Sequence, residues 1–357
     1  MFRRTDDLRI EDLRPLIAPA ILMEDLPITE LVSATVARAR EEIAAELWGR
    51  DDRLLVVVGP CSIHDTDAAL EYAARLAEKQ KELASELNVV MRVYFEKPRT
   101  TVGWKGLIND PQLDGSFVIN QGLRAARRFL MDVVDLRLPA GTEFLDPITP
   151  QFYADLVAWG AIGARTAESQ VHRELASGLS MPVGFKNGTA GSVSVAIDGI
   201  LSAKHPHHFL SVTKQGVAAI VATRGNEDCH VILRGGKNGP NYSTQHVDEV
   251  VQTLERHGLA PRLMIDCSHA NSGKDHLKQS AVAADVAAQV ASGRRAIFGV
   301  MLESFLVDGA QRHVEGMPRE ALVRGQSITD ACIGWDRTVP ILEQLAEAVL
   351  HRRASAA

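Results

Sequence analysis

Leu54-Leu-Val-Val-Val-Gly-Pro-Cys61 is the stretch on which the reading of the fold turns. A short β-branched apolar run closed by Gly-Pro reads as a buried strand, and the helical pattern that follows it is the mark of a parallel sheet covered by helices. Working outward, seven further runs have the same character: Val89 to Tyr94, Gly141 to Leu145, Gly160 to Ala164, Pro182 to Phe185, His230 to Leu233, Leu263 to Ile265 and Ala296 to Met301. Eight such units close a (β/α)8 barrel. A doubly wound open sheet is the competing architecture, but no G-x-G-x-x-G fingerprint follows an early strand.

Two segments are surplus to a barrel. Phe209 to Thr213 and Ala218 to Thr223, around Gln215-Gly216, predict a β-hairpin inserted at about 207–224. Residues 1–50 form an N-terminal extension in which Thr29 caps a helix through Ala34, Ala37 and Ile43, with Gly49 as its stop. The barrel is then expected over 51–350, and His351 to Ala357 as a frayed tail.

Composition narrows the function. A net charge of −6 disfavours nucleic acid or an anionic membrane as partner, so an anionic ligand must meet a local basic cluster. No run reaches the ~20 apolar residues of a membrane span, and the charged start carries no apolar leader core, which predicts a cytoplasmic protein. Four scattered cysteines, Cys61, Cys229, Cys267 and Cys332, fit a reducing compartment better than a disulfide framework.

Reactive side chains fall just after the strand runs, where barrel active sites lie. Cys61, His269, Glu303 and Asp330 could together hold one metal ion. A thiolate, imidazole and carboxylate shell suits Mn, Fe, Co or Zn better than Mg or Ca; taken singly, each residue is more often packing or a solvated charge. His205, His207 and His208 point different ways and read as surface, and Cys229 as core. Arg92, Lys97, Arg99, Lys105, Arg165, Lys186 and Arg234 form a cationic set. Cations in or after apolar strands are costly to desolvate without an anion, so together they imply a phosphorylated ligand, whereas any one alone is more simply an ion-pair partner. Lys186 could instead form a Schiff base with a pyruvate-like substrate.

The segments Gly59-Pro-Cys-Ser-Ile-His-Asp65, Met91-Arg-Val-Tyr-Phe-Glu-Lys-Pro-Arg-Thr-Thr-Val-Gly-Trp-Lys-Gly106, Gly160-Ala-Ile-Gly-Ala-Arg-Thr166, Gly184-Phe-Lys-Asn-Gly-Thr189, Ile232-Leu-Arg-Gly-Gly-Lys237, Asp266-Cys-Ser-His-Ala-Asn271 and Ser327-Ile-Thr-Asp-Ala-Cys-Ile-Gly-Trp335 resemble the type I alpha 3-deoxy-D-arabino-heptulosonate 7-phosphate (DAHP) synthases over nearly the whole chain. The resemblance implies a TIM barrel that condenses phosphoenolpyruvate with erythrose 4-phosphate, the first step of the shikimate pathway. It implies one divalent metal ion on Cys61, His269, Glu303 and Asp330, with Lys97, Cys61, His269 and Asp330 catalytic. It assigns phosphoenolpyruvate to Arg92, Lys97, Ala164, Arg165, Lys186 and Arg234, and erythrose 4-phosphate to Lys97-Pro98-Arg99-Thr100. The related 3-deoxy-octulosonate 8-phosphate synthases carry a different loop there.

The same resemblance implies a homo-oligomer, a dimer of dimers, inhibited by an aromatic amino acid. Its effector pocket would use Asp146, Pro150, Leu179, Ser180, Phe209, Ser211 and Val221, with Asp7 from a neighbouring subunit. Ser211-Val212 resembles the phenylalanine-sensitive branch, since a Gly at 211 would leave room for tyrosine's hydroxyl; Pro147 stands where that branch is expected to carry Met. Cys332 is expected near Cys61, close enough to pair with it on oxidation. A barrel that only senses the amino acid is the non-enzymatic alternative, expected to have lost ligands or cations, and none is missing.

Overall fold

The computed structural model describes residues 3–99, 103–314 and 316–356. The elements run α1 (Pro19–Asp25), α2 (Glu30–Leu47), β1 (Leu54–Gly59), α3 (Thr66–Glu82), β2 (Leu87–Arg92), α4 (Ile119–Asp135), β3 (Ala140–Glu143), α5 (Pro150–Tyr153), β4 (Trp159–Ile162), α6 (Gln170–Gly178) and β5 (Val183–Lys186). They continue as α7 (Ser194–Ala203), β6 (His208–Val212), β7 (Ala218–Ala222), β8 (Cys229–Leu233), α8 (Thr244–Arg256), β9 (Leu263–Asp266), α9 (Gln279–Ala291), β10 (Ile297–Glu303) and α10 (Trp335–Ala356). Eight parallel strands close in the order β1-β10-β9-β8-β5-β4-β3-β2, with β2 returning to β1, so the chain is a (β/α)8 barrel.

The continuous apolar runs hide a period of two. Leu55, Val57, Val90, Trp159, Ala161, Ile232, Met264, Phe298 and Met301 face one another inside the barrel, while Val56, Val58, Val89, Ile162, Val231, Ile265 and Leu302 pack outward against the helices. Both sets are buried because the sheet has no solvent face.

The partner for the helix of the extension is the barrel itself. Thr29 Oγ1 accepts from Val32 N at 3.2 Å and caps α2, and Ala39, Ile43 and Leu47 join the interior cluster. Arg40 donates to Val157 O, Trp48 Nε1 to Asp228 Oδ1, and Arg262 to Glu46 O. Those partners all lie just before strands β4, β8 and β9, so α2 stops the N-terminal mouth. Each of its buried Val, Ile and Leu side chains contributes ~1.5–3 kcal/mol. Ala34 and Ala37, expected on this face, are exposed; the buried stripe is Val32, Val36, Ala39, Ile43 and Leu47.

At the other end of the chain the expected tail is helical, for α10 continues to Ala356. Arg353 grips the Asp52 carboxylate at 2.6 and 2.8 Å, and Arg352 donates to Asp52 O, which ties the last turns to the approach to β1.

β6 and β7 pair antiparallel outside the barrel, with Phe209 opposite Val221 and Ser211 opposite Ala219. The base of the hairpin is bonded to α6 through Ser177 Oγ and Thr223 Oγ1 at 2.7 Å. Its turn meets the extension and α5, since Lys214 O accepts from Ala20 N at 2.6 Å and Lys214 Nζ donates to Gln151 O at 2.5 Å.

Candidate active site

The C-terminal strand ends surround a cavity of about 670 Å³. Arg92, Glu143, Lys186 and Glu303 terminate β2, β3, β5 and β10, while Lys97, Arg165, Arg234 and His269 stand in the segments that follow β2, β4, β8 and β9. Asp330 arrives from the long connection between β10 and α10. Close approach here needs glycine. A Cβ on Gly163 would lie 2.3 Å from Glu143 Oε1, and one on Gly235, at φ +74°, would lie 2.7 Å from the Ala270-Asn271 backbone.

Cys61 Sγ and one carboxylate oxygen each from Glu303 and Asp330 lie within 4.8 Å of one another. His269 Nε2 is 4.0 Å from Glu303 Oε1, at the edge of this group. His269 itself adopts φ +53°, an uncommon conformation for a residue with a side chain, of the kind that collects at functional sites. Glu303 is buried; its Oε1 is 2.9 Å from Arg92 Nη2 but has no aligned hydrogen bond. Its backbone is clamped by Gln279, whose amide exchanges bonds of 3.0 and 2.8 Å with Glu303 O and N. Burial and then Glu303 push the Cys61 thiol up, against Lys97, whose Nζ is 3.1 Å from Sγ. Burial also pushes Asp330 up, but Lys97, His269 and Arg92 outweigh it and hold that carboxyl below its ordinary range.

The donor set fits a divalent cation: a thiol whose ionisation is opposed by its surroundings, a buried unaligned carboxylate oxygen and a second carboxylate converge on one spot. The imidazole is prepared for the same role. Ser268 Oγ donates its one proton to Asp266 Oδ1 at 2.6 Å, so it can only accept from His269 Nδ1 at 2.7 Å. Nδ1 therefore carries the hydrogen and the Nε2 lone pair is free on the Glu303 side.

Asp266 is fully buried. Its Oδ1 accepts from Ser268 N and Oγ, and its Oδ2 is 3.1 Å from Lys186 Nζ and 2.9 Å from His269 Nδ1. Burial alone would raise this carboxyl; His269 and Lys186 outweigh it and hold it well below the usual range.

Eight Lys and Arg side chains line the cavity against three carboxylates, an excess that calls for a multiply charged anion. Among the described residues, Arg92 and Lys186 have carboxylate partners, and Arg99, Arg165 and Arg234 have none. Arg165 Nη1 reaches Pro98 O at 3.5 Å, and Arg234 N is fixed by Asn187 Oδ1 at 2.8 Å. Burial lowers the Arg234 pKa, more than the nearby Asp266 raises it. Pro98 and Ala164 also line the space. Lys105 is exposed and outside it, contributing only its carbonyl, which accepts from Lys97 N at 2.9 Å. Thr100 lies outside the described residues.

Glu143, Asp266, Ser268 and Gln279 had not been singled out in the sequence. A carboxylate ending an apolar run, as in Leu263-Met-Ile-Asp266, was the available signal for two of them. Cys332 Sγ accepts from Cys61 N at 3.3 Å, and Cys229 is buried in β8. His207 bonds to Ser202 O at 2.8 Å, and His205 and His208 are exposed.

Of the expected effector residues, Phe209, Ser211 and Val221 are half-buried on one face of the hairpin, and Leu179 and Ser180 follow α6, on which its base packs. Asp146 Oδ1 accepts from Ile148 N and Thr149 N ahead of Pro150, which opens α5. Asp7 is exposed in the extension, at φ +55°.

Residues 33–343 match the model of the DAHP synthetase I family. The chain belongs to this family. It is 62% identical over 350 residues to the Phe-sensitive phospho-2-dehydro-3-deoxyheptonate aldolase of Escherichia coli, covering 98% of this chain and 99% of that one. To the tyrosine-inhibited enzyme of Schizosaccharomyces pombe it is 54% identical over 349 residues, covering 98% and 94%. The solved phospho-2-dehydro-3-deoxyheptonate aldolase of Francisella tularensis superposes with a TM-score of 0.93 at 54% identity, covering 96% of this chain and 99% of that one.

Proposed function

We propose that this chain is a metal-dependent, cytoplasmic DAHP synthase that joins phosphoenolpyruvate to erythrose 4-phosphate and releases phosphate. The observation that carries this reading is one cavity in which an imidazole and two carboxylates, with the buried Cys61 thiol against those carboxylates, face a ring of cations with too few acidic partners. Cys61, His269, Glu303 and Asp330 hold the cation. A bound Mn, Fe, Co or Zn ion supplies Lewis-acid polarisation of the aldehyde.

The protein's own groups do the rest. Arg165, Arg234 and Lys186 bind the phosphate and carboxylate of phosphoenolpyruvate, and Pro98, Arg99 and Thr100 seat erythrose 4-phosphate. As C3 of phosphoenolpyruvate bonds to the aldehyde carbon, the aldehyde oxygen gains charge. Lys97 is half-buried on the cavity wall; burial lowers its pKa, but Cys61, 3.1 Å away, outweighs that and raises it, so the ammonium holds a proton for that oxygen. Water adds to C2, and the tetrahedral adduct breaks its C–O bond to release phosphate beside Arg165 and Arg234, which stabilise the leaving group. The Schiff-base alternative would require Lys186 to leave its 3.1 Å pairing with Asp266.

The effector is an aromatic amino acid, phenylalanine in the first instance and tyrosine as the alternative, bound between hairpin, α6 and the Asp146–Pro150 segment. A dimer of dimers is supported by exposed apolar side chains on the two segments surplus to the barrel: Leu8, Ile10 and Leu13 in the extension, and the paired Leu210 and Ile220 on the hairpin, 83% and 75% exposed.

Phosphate release with phosphoenolpyruvate and erythrose 4-phosphate, run beside arabinose 5-phosphate, tests the activity. Turnover is expected with the four-carbon aldehyde; turnover with the five-carbon one alone, or with neither, overturns the reading. Phe, Tyr and Trp assayed in parallel test the effector, which fails for phenylalanine if Phe has no effect. No helix among the described residues is long and apolar enough to cross a membrane.

A further inference from the structure

Asp266 is fully buried and lies beside both a cation and the histidine of the cavity, and the chemistry above gives it no role. It ends β9 with no exposure to solvent, where an unpaired charge would be strongly disfavoured. Its Oδ1 is held by Ser268 N at 3.0 Å and Ser268 Oγ at 2.6 Å, which fixes the plane of the carboxylate. Its Oδ2 then lies between Lys186 Nζ, 3.1 Å away on the cationic side, and His269 Nδ1, 2.9 Å away on the cation-binding side.

We propose that Asp266 is a positioning residue that braces two binding functions with one oxygen: it orients His269 toward the metal ion and holds Lys186 where it meets phosphoenolpyruvate. This rests on the proposed function. The Nδ1 hydrogen, donated to Ser268 Oγ, leaves the Nε2 lone pair free. Asp266 Oδ2, 2.9 Å from Nδ1 but without an aligned hydrogen bond, acts on the ring through its charge and its hold on Ser268; loss of the carboxylate loosens the ring and removes the group that strengthens its basicity. The same loss leaves the Lys186 ammonium without its buried counter-charge, and nothing else in the ion-pair network of the described residues anchors it.

The test is Asp266→Asn, which keeps the shape and removes the charge. Metal affinity is read by competition with a chromogenic chelator using Mn and Zn, without substrate, and phosphoenolpyruvate affinity by calorimetry on metal-free protein. Metal binding is expected to weaken by ~10–100-fold, as for other partners of metal-ligating histidines, and phosphoenolpyruvate binding to weaken with it. The KM for erythrose 4-phosphate is expected to stay within about twofold. A purely structural role would lower the melting temperature and leave both affinities of the folded fraction unchanged, and that result overturns the proposal. Weakening of only one affinity overturns the shared brace. Wild-type protein that binds neither Mn nor Zn nor phosphoenolpyruvate would instead overturn the proposed function.

If Asp266→Asn does not fold, Ser268→Ala reports on the same brace, because it removes the hydroxyl that fixes Oδ1 and accepts from His269. A several-fold loss of metal affinity is expected from it, and an unchanged value removes Asp266 and Ser268 from the site's support.

Discussion

Replacing Glu96 by glutamine should change how the fold responds to pH, and the size of the effect follows from where the side chain sits. Glu96 is buried one residue before Lys97, with Oε2 accepting from Thr149 Oγ1 at 3.0 Å and Tyr153 OH at 3.4 Å. Burial, reinforced by Asp146, pushes its carboxyl up to about 8. The folded value stands above the unfolded value of ~4.3, so the folded state holds this proton more tightly. The stabilisation is complete below the unfolded value and is lost as pH rises through about 8. At ~1.4 kcal/mol per unit the ceiling is ~5 kcal/mol, and relaxation around a buried group brings the expectation to roughly 2–4 kcal/mol. Glutamine keeps an oxygen for Thr149 and Tyr153 and does not titrate. Urea denaturation of both proteins from pH 5 to 8.5 should show the variant gaining on wild type by that amount toward high pH. A difference that stays flat over this range refutes the reasoning.

Other perturbations act on separate parts of the molecule. Arg165→Ala should lower kcat/KM by the ~1.5–3 kcal/mol of a charge-assisted hydrogen bond, roughly 10–150-fold. Its melting temperature should stay near wild type because the side chain is exposed; an unchanged kcat/KM removes Arg165 from the site. Burial lowers the pKa of His230, inside the barrel against Trp159 and Phe298, to about 3. A depressed histidine contributes stability above the unfolded value of ~6.5 that is lost as pH falls toward about 3, so His230→Gln should flatten the acid limb of the stability curve. Acid denaturation that is identical in the two proteins would exclude that contribution.

The barrel was legible because its signal is repeated: seven of the eight buried runs end near a reactive side chain singled out in the sequence, and no single misreading removes the pattern. The hairpin was legible for a different reason, since Gln215-Gly216 marks its turn and Gly216 adopts φ +77°. Helix faces were harder to read. Ala34 and Ala37 suit a helix interior or its surface equally well, and only the barrel mouth selects Val36, Ala39 and Ile43. The tail was misjudged because its order comes from Arg352 and Arg353 gripping Asp52, some 300 positions earlier, a pairing that has no local signature.

The site divides along the same line. Cys61, Glu303 and Asp330 stand in distinctive short segments and do come together, with His269 beside them. Lys105, by contrast, belonged to the cationic set by composition alone, and its side chain points to solvent. Asp266, Ser268 and Gln279 act by holding other residues, through contacts that exist only once β9, β10 and α9 are packed.

Removing the cation tests the central claim most directly. Protein stripped with a chelator and verified metal-free by elemental analysis should lose phosphate release from phosphoenolpyruvate and erythrose 4-phosphate by at least about 100-fold, the loss expected when several kcal/mol of Lewis-acid stabilisation disappears. Adding back Mn, Co, Fe or Zn should restore it. Full turnover by the metal-free protein would contradict the account.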